Sequence, residues 1–384
     1  MKNRLKGILF ELIGQLMVPF VHTDDETWVF SSTKNEHYNY NSKYLFEYVL
    51  QNHIDKKTFF VINDTVTRRK LNKVVGPYFI STRTLTGVGK VLSARVWITS
   101  AGLPMHLMFD HKERLVINLW HGVPLKKIVL MENDTTWIKR LYVALFFSRQ
   151  YSAIATTSKK LISTYANSFG VKDNIVKVLG QPRNDLLFED NRNIFEEKFP
   201  NISGKKVLYA PTYREWETTQ LFPFADFDEG KVENFLERIN ATIFIRFHLQ
   251  NQEQTRFVET KHIRFINEDK FEDIMTVLNN FDLLVTDYSS MYIDYLLLDR
   301  PIVFLPYDLS DYSKKRGFNF DYNLVTPGEK VTDTCEHFCD VIQHNLEKPE
   351  LGSKERTRVN HFFNSARNSN RERVYQYILS KLKI

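Results

Sequence analysis

Short runs with apolar, β-branched or aromatic centres alternate along the chain with stretches of helical periodicity. In the first half, Thr58–Asn63, Arg95–Ser100 and Leu115–Trp120 are such runs. Their length and bounded apolar centres predict strands buried on both faces. Between strands, Asn41–Leu50 groups its apolar positions at three- and four-residue spacing and predicts a helix. In the second half, Lys206–Ala210, Ala241–Phe247, Asp282–Thr286 and Pro301–Leu305 predict strands, and Phe271–Leu278 a helix. Strands alternating with helices make an α/β protein of parallel sheets covered on both faces.

Two such blocks meet near residues 180–200, which divides the chain into residues 1–185 and 186–384, with the last helix able to pack back on the first block. The expectation is two Rossmann-like domains facing a cleft, with ligands beyond the carboxyl ends of the strands. Neither a Gly-x-Gly-x-x-Gly fingerprint nor a Gly-x-x-x-x-Gly-Lys loop occurs, which argues against a dehydrogenase or a P-loop kinase.

Two segments break the globular pattern. Near the amino terminus, Leu5, Leu9, Leu12 and Leu16 fall on one helical face with Ile8 and Ile13, behind Lys2, Arg4 and Lys6. Glu11 and Gln15 interrupt the apolar run, no small-x-small cleavage site follows, and the segment is too short and polar to span a bilayer. An amphipathic helix at a membrane surface is expected, the alternative being a helix docked on the protein. Trp137–Arg149 repeats the mixture, combining large apolar residues with Lys139, Arg140 and Arg149.

Composition narrows the field modestly. Of 384 residues, 43% are hydrophobic and 26% charged, a globular balance. The net charge of +6 suits an anionic partner. Lys and Arg are scattered rather than gathered into a stripe, so a nucleic-acid-binding protein is the weaker reading. The only cysteines, Cys335 and Cys339, flank His337 but have no second ligand cluster, and read as two thiols of a reducing compartment rather than a zinc site.

Candidate chemistry gathers at strand ends. His121 follows a strand and precedes Gly122 and Pro124, placing a side chain able to accept a proton near neutrality on a tight turn. Pro211 stops the next strand's ladder, so that Thr212 and Arg214 are expected to project into the cleft. Arg246 and His248 alternate onto one face, an arrangement suited to phosphate oxygens, or alternatively to an ion pair closing the strand. Ser289 and Ser290 stand where a strand gives way to an apolar helix, either as a phosphate site or as an N-cap. Asp294, one turn on, fits a polyol hydroxyl or a first-turn acid. Asp226 and Asp228 form an Asp-x-Asp pair, but in a loop rather than after a strand, and metal binding is not expected there.

Taken in order, Trp120–Lys127, Gly180–Asp185, Tyr209–Arg214, Arg246–His248 and Thr286–Ser290 resemble the motifs of the CDP-glycerol glycerophosphotransferases, which prime and extend teichoic acids and related capsule polymers. Asp299–Asp308 resembles that family as well, and the likeness runs from about residue 27 to about residue 320. Val123 stands where Thr is common and Tyr213 where Trp is common, while the length is similar to priming or compact capsule-type members. The resemblance implies a GT-B fold with the donor held mainly by the second domain. Donor-binding positions carried over are Trp120, His121, Gly122, Val123, Pro124, Arg183, Pro211, Thr212, Arg246, Phe247, His248, Ser289, Ser290 and Asp294. His121 and His248 match the two histidines on which family activity depends.

The implied reaction needs no cofactor or metal. An acceptor hydroxyl, on a lipid-linked polymer at the cytoplasmic face of the membrane, attacks the β-phosphorus of a CDP-polyol and expels CMP. His121 takes the hydroxyl proton, while Arg183, Arg246, His248 and the serine pair hold the diphosphate. CDP-ribitol as donor and a sugar-nucleotide glycosyltransferase on the same fold are the alternatives within enzymes. Oligomeric state is left open.

Overall fold

The computed structural model describes residues 2–108, 113–214, 216–247 and 257–382. They form two α/β units. The first comprises residues 1–122, 128–185 and 365–384, and the second residues 123–127 and 186–364.

The first unit is built on seven strands: β1 (Asp24–Ser31), β2 (Lys57–Val61), β3 (Phe79–Ile80), β4 (Ala94–Thr99), β5 (Leu115–Asn118), β6 (Ala153–Thr156) and β7 (Val176–Val178). Their order is β3-β2-β1-β4-β5-β6-β7, with parallel pairing throughout. The second unit has β8 (Lys205–Ala210), β9 (Ala241–Ile245), β10 (Ile263–Phe265), β11 (Leu283–Thr286), β12 (Ile302–Phe304) and β13 (Glu329–Lys330). Here the order is β10-β9-β8-β11-β12-β13, again parallel. Both are Rossmann orders, in which the chain reverses direction across the sheet once, between β1 and β4 and between β8 and β11. Loops diverge at such a switch point and leave a crevice at the carboxyl edge.

Burial follows from the apolar strand centres. Trp28, Phe30, Phe46, Phe60 and Phe79 are fully or almost fully buried in the first core. The Phe30 ring meets Phe46 edge-on at 5.3 Å and Tyr38 meets Phe60 at 5.0 Å, geometries that aromatic quadrupoles favour. The Asn370–Leu382 helix adds Val374, Tyr375 and Ile378 to this core, and Asp185 accepts from the Asn370 and Arg371 amides at 2.9 Å each. The sequence reading misses β1, an interior strand, because Asp24–Thr27 disguise its apolar end, and it misses the short β3, β6 and β7 as well.

Where a helix is expected over Phe271–Leu278, two 3-10 turns stand instead, Ile274–Thr276 and Leu278–Asn280. Asp273 accepts from the Met275 amide at 2.9 Å, and this local bond competes with the i to i−4 ladder. Val277 then lies at φ −134°, outside helical geometry.

At the β8/β11 switch point the second unit is tied by charge. Arg214 donates to Asp287 Oδ2 at 2.9 Å and, through Nε and Nη2, to both oxygens of Asp308 at 2.8 Å. Asp287 Oδ1 also accepts from the Thr212 amide at 2.8 Å, and the Tyr288 hydroxyl donates to Asp308. Arg214 was expected to project into a cleft; its side chain is instead wholly buried. Two carboxylates and a fork-shaped donor in one dry place hold each other, and a free guanidinium there would be far costlier. Burial opposes its charge, but the bonds to Asp308 and the charge of Asp287 outweigh that and hold its pKa above the ordinary value.

Removing one member of such a group strands the others. Arg214→Met is expected to cost about 3–5 kcal/mol, read as faster amide exchange in β8 and β11 with the first unit's exchange unchanged. Arg214→Lys restores little of it, because an ammonium cannot make the bidentate bond.

Candidate active site

In the first unit the site grows from the end of β5. Asn118 closes the strand and its Oδ1 accepts from the Trp120 amide at 2.8 Å. Trp120 then takes a left-handed backbone, φ 51°, which non-glycine residues adopt only where their surroundings impose it. Here the imposing group is Asn41, fully buried at the start of the Tyr40–Asn52 helix. Its Nδ2 donates to the Trp120 carbonyl at 2.9 Å, and its Oδ1 accepts from the Arg183 amide at 3.1 Å. One side-chain amide thus joins two loops more than sixty residues apart in sequence.

His121 is the product of that turn. Its Nδ1 lies 3.0 Å from the Ser100 carbonyl, just beyond β4. A carbonyl only accepts, so Nδ1 carries the proton and Nε2 presents a lone pair. The ring is stacked on Tyr40 at 4.8 Å and lies against Trp120 at 4.0 Å. Burial pushes its pKa down, the Ser100 bond opposes this, and the Arg183 charge adds to the lowering, to about 4. The imidazole is therefore neutral at pH 7. A neutral ring with one nitrogen oriented by a fixed acceptor is what a general base requires.

In the second unit the expected residues occupy the carboxyl edge of β9, β8 and β11, three neighbouring strands. Thr212 follows β8 and Pro211; its amide is fixed by Asp287, while its buried Oγ1 has no hydrogen-bond partner among the described residues. Ser289 Oγ accepts from the Met291 amide at 3.2 Å, so the capping role falls to it, and Ser290 makes no side-chain cap. The helix they open is short, Met291–Tyr295, and Asp294 within it is buried.

Arg246 follows β9, but its guanidinium is already engaged. Nη1 donates to the Ile266 and Phe271 carbonyls at 2.9 Å each, and Nη2 to that of Glu272 at 3.2 Å. Nε–H and one Nη2–H remain for an anion, in place of the open fork the sequence suggests. Phe247 is buried, with its amide on Asn267 Oδ1 at 3.1 Å. Val123 and Pro124 belong to the second unit, where Asn319 Nδ2 donates to the Pro124 carbonyl at 2.8 Å. His248 lies outside the described residues.

The structure brings Trp120, His121 and Arg183 together in the first unit, with Gly122 beside them accepting from the Tyr165 hydroxyl at 3.2 Å. Sequence reasoning missed Asn41, Ser100, Asp287 and Asp308, which position the others. Asp287 and Asp308 carried a signal, standing inside the Thr286–Ser290 and Asp299–Asp308 motifs. The Asp-x-Asp pair is accounted for locally. Asp226 accepts from the Cys335 amide at 2.8 Å and Asp228 from that of Lys231 at 2.9 Å, each closing a helix amino terminus. Among the described residues no three His, Cys, Asp or Glu side chains converge on a point able to hold a metal.

Comparison with known proteins bears on what this geometry is for. The chain is 26% identical over 329 residues to the teichoic acid ribitol-phosphate polymerase TarL of Staphylococcus aureus, covering 83% of this chain and 56% of the relative. It is 27% identical over 350 residues to a teichoic acid poly(glycerol phosphate) polymerase of Bacillus spizizenii, covering 86% and 85%. A solved structure of the wall teichoic acid polymerase TagF superposes with a TM-score of 0.78 at 20% identity, over 98% of this chain and 93% of that one, and has the same GT-B fold. The model of the CDP-glycerol:poly(glycerophosphate) glycerophosphotransferases matches residues 14–380, and the chain belongs to that family.

Proposed function

We propose that the protein transfers glycerol phosphate from CDP-glycerol to a hydroxyl of a lipid-linked acceptor in teichoic acid or capsule polymer synthesis, releasing CMP. The observation that carries this reading is His121, neutral and with Nε2 left as the accepting nitrogen. Nε2 takes the proton of the acceptor hydroxyl as its oxygen attacks the donor's β-phosphorus. The bond from that phosphorus to the bridging oxygen breaks, and CMP leaves with the electron pair. Arg183, Arg246, His248, Thr212 and the Ser289/Ser290 pair are the groups proposed to bind the diphosphate and stabilise its developing charge. Trp120, Gly122, Val123, Pro124, Pro211 and Phe247 shape the loops around the donor, and Asp294 takes a polyol hydroxyl. CDP-ribitol is a second reading, favoured by the likeness to a ribitol-phosphate polymerase.

The same reading puts the protein peripherally on the cytoplasmic face of the membrane. The Lys2–Met17 helix is docked by its polar residues. Glu11 accepts from the His106 amide and Gln15 from that of Met108, at 2.7 Å each. Ile8, Leu9, Leu12 and Leu16 point outward, Leu16 being 73% exposed. In the Trp137–Val143 helix, Trp137, Ile138, Leu141 and Tyr142 are likewise exposed. No helix among the described residues is long and apolar enough to cross a membrane. Outward apolar rows beside Lys139 and Arg140 suit the headgroup boundary of an anionic bilayer.

Given a lipid-linked glycerol-phosphate acceptor, the protein is expected to release CMP from CDP-glycerol faster than from CDP-ribitol, and nothing from UDP-sugars. His121→Ala should slow that release by about 10²–10⁴-fold while CDP-glycerol still binds; a near-normal rate would remove His121 from the role of base. Because the reaction needs the neutral ring, kcat/KM should stay flat through pH 6.5 and fall only towards the His121 value of about 4. Arg183→Met removes a charge that lowers this value, so the acid limb should move upward. Sedimentation with anionic vesicles gives the last check: Leu12→Glu with Leu141→Glu should release the protein into the supernatant without changing CDP-glycerol affinity.

A further inference from the structure

Behind Trp120 the first unit encloses a cavity of about 200 Å³. Its walls are Trp120, Val129, Val143, Phe147, Tyr151 and Phe169, with Asn118 and Gly102 at the edge. Several polar groups of this lining are already used. Asn118 Oδ1 accepts from the Trp120 amide, and the Asn118 side chain bonds the Tyr151 hydroxyl. Gly102 donates to and accepts from the Thr99 hydroxyl. A guest therefore meets mostly hydrocarbon and ring surfaces, which favour an apolar guest over a polar one.

The backbone around the cavity is unusual in three places. Trp120 and Val129 both lie at φ 51°, and for a β-branched residue that conformation is an outlier. Ala144–Ser148, which carries Phe147, is a π-helical turn. Strained residues and π turns persist where the surrounding structure over-determines them, and they gather at ligand clamps. Three such features on one small cavity mark it as a built site rather than a packing fault.

We propose that this cavity receives the end of a lipid hydrocarbon chain. An apolar cavity of ~150 Å³ takes a benzene molecule, so one of about 200 Å³ takes roughly eight carbons. The chain has a nearby source on the reading above, on which this inference rests. Val143 and Phe147 wall the cavity from a segment that exposes Trp137, Ile138, Leu141 and Tyr142. Occupancy has a consequence for chemistry, because the Trp120 ring stands between the cavity and His121, 4.0 Å from the imidazole. A chain packed behind Trp120 removes that ring's freedom and steadies the base against it. The hydrocarbon belongs either to the acceptor lipid or to a bilayer lipid.

Val143→Phe fills the cavity and tests this. With 1-octanol as probe, the melting temperature of the wild type should rise and that of the variant should not. The variant's KM for an acceptor bearing a hydrocarbon chain should rise about tenfold, with the KM values for CDP-glycerol and for a chain-free acceptor unchanged. Phosphatidylglycerol vesicles added to the chain-free reaction separate the two sources. Stimulation in the wild type that the variant loses assigns the cavity to a bilayer chain, and no stimulation beside the KM effect assigns it to the acceptor's own chain. Equal changes for both acceptors without a vesicle effect, or an octanol shift that survives the substitution, would overturn the proposal. If the wild type transfers to neither acceptor, the proposed function fails and the octanol shift alone decides the cavity. Should Val143→Phe not fold, Val143→Leu is expected to move each readout in the same direction.

Discussion

A single hydrogen bond, from His121 Nδ1 to the Ser100 carbonyl, decides what the first unit's site is able to do. Without a fixed acceptor on one nitrogen, a buried imidazole has two tautomers and no defined base. With it, the second nitrogen's lone pair is set, and burial keeps the ring uncharged. The acceptor is itself anchored at the β1/β4 switch point, where the Ser42 amide and hydroxyl both bond Ser100 Oγ at 2.8 Å. Asn41, one residue earlier, holds Trp120 in its left-handed turn and fixes the Arg183 loop. Two consecutive residues at a helix start thus carry the geometry of the proposed base, its neighbouring cation and the Trp120 ring.

The second unit solves its switch point by the opposite physics. Where the first uses neutral amides, hydroxyls and an uncharged ring, the second buries Asp287, Arg214 and Asp308 as charges. Such a group gives little net stability, because desolvation offsets most of the attraction. What it supplies is position, since every partner must be in place before any is satisfied. Asp287 fixes the Thr212 amide through one oxygen and Arg214 through the other, so β8 and β11 end in a single rigid piece of loop. Thr212 Oγ1 stands beside that piece without a hydrogen-bond partner among the described residues.

The amino-terminal helix shows how a local pattern is reinterpreted by its context. Glu11 and Gln15, which interrupt the apolar run, are the groups that dock it, through amides of the 101–108 loop. The leucines then face outward because the polar bonds face inward. Of the two expectations the structure shows the docked helix, and its outward leucines are what the proposed membrane contact rests on.

The alternation of apolar runs and helical stretches determined the α/β class, three of the seven strands of the first sheet and four of the six of the second, because β-branched runs buried on two faces have no other stable home. It also placed His121–Pro124, Pro211–Thr212 and Ser289–Ser290 beyond strand ends, where the structure has them, while Trp120, Arg246 and Phe247, read as the last residues of strands, lie just past them. Only tertiary structure decided the rest. That Arg214 is buried between two acids, that Arg246 is occupied by three carbonyls, and that Asp226 closes a helix depend on partners 20 to 110 residues away. A sequence displays which groups are able to bond. It does not display which competitor reaches them first, and at a site made of loops from many strands that competition sets the chemistry.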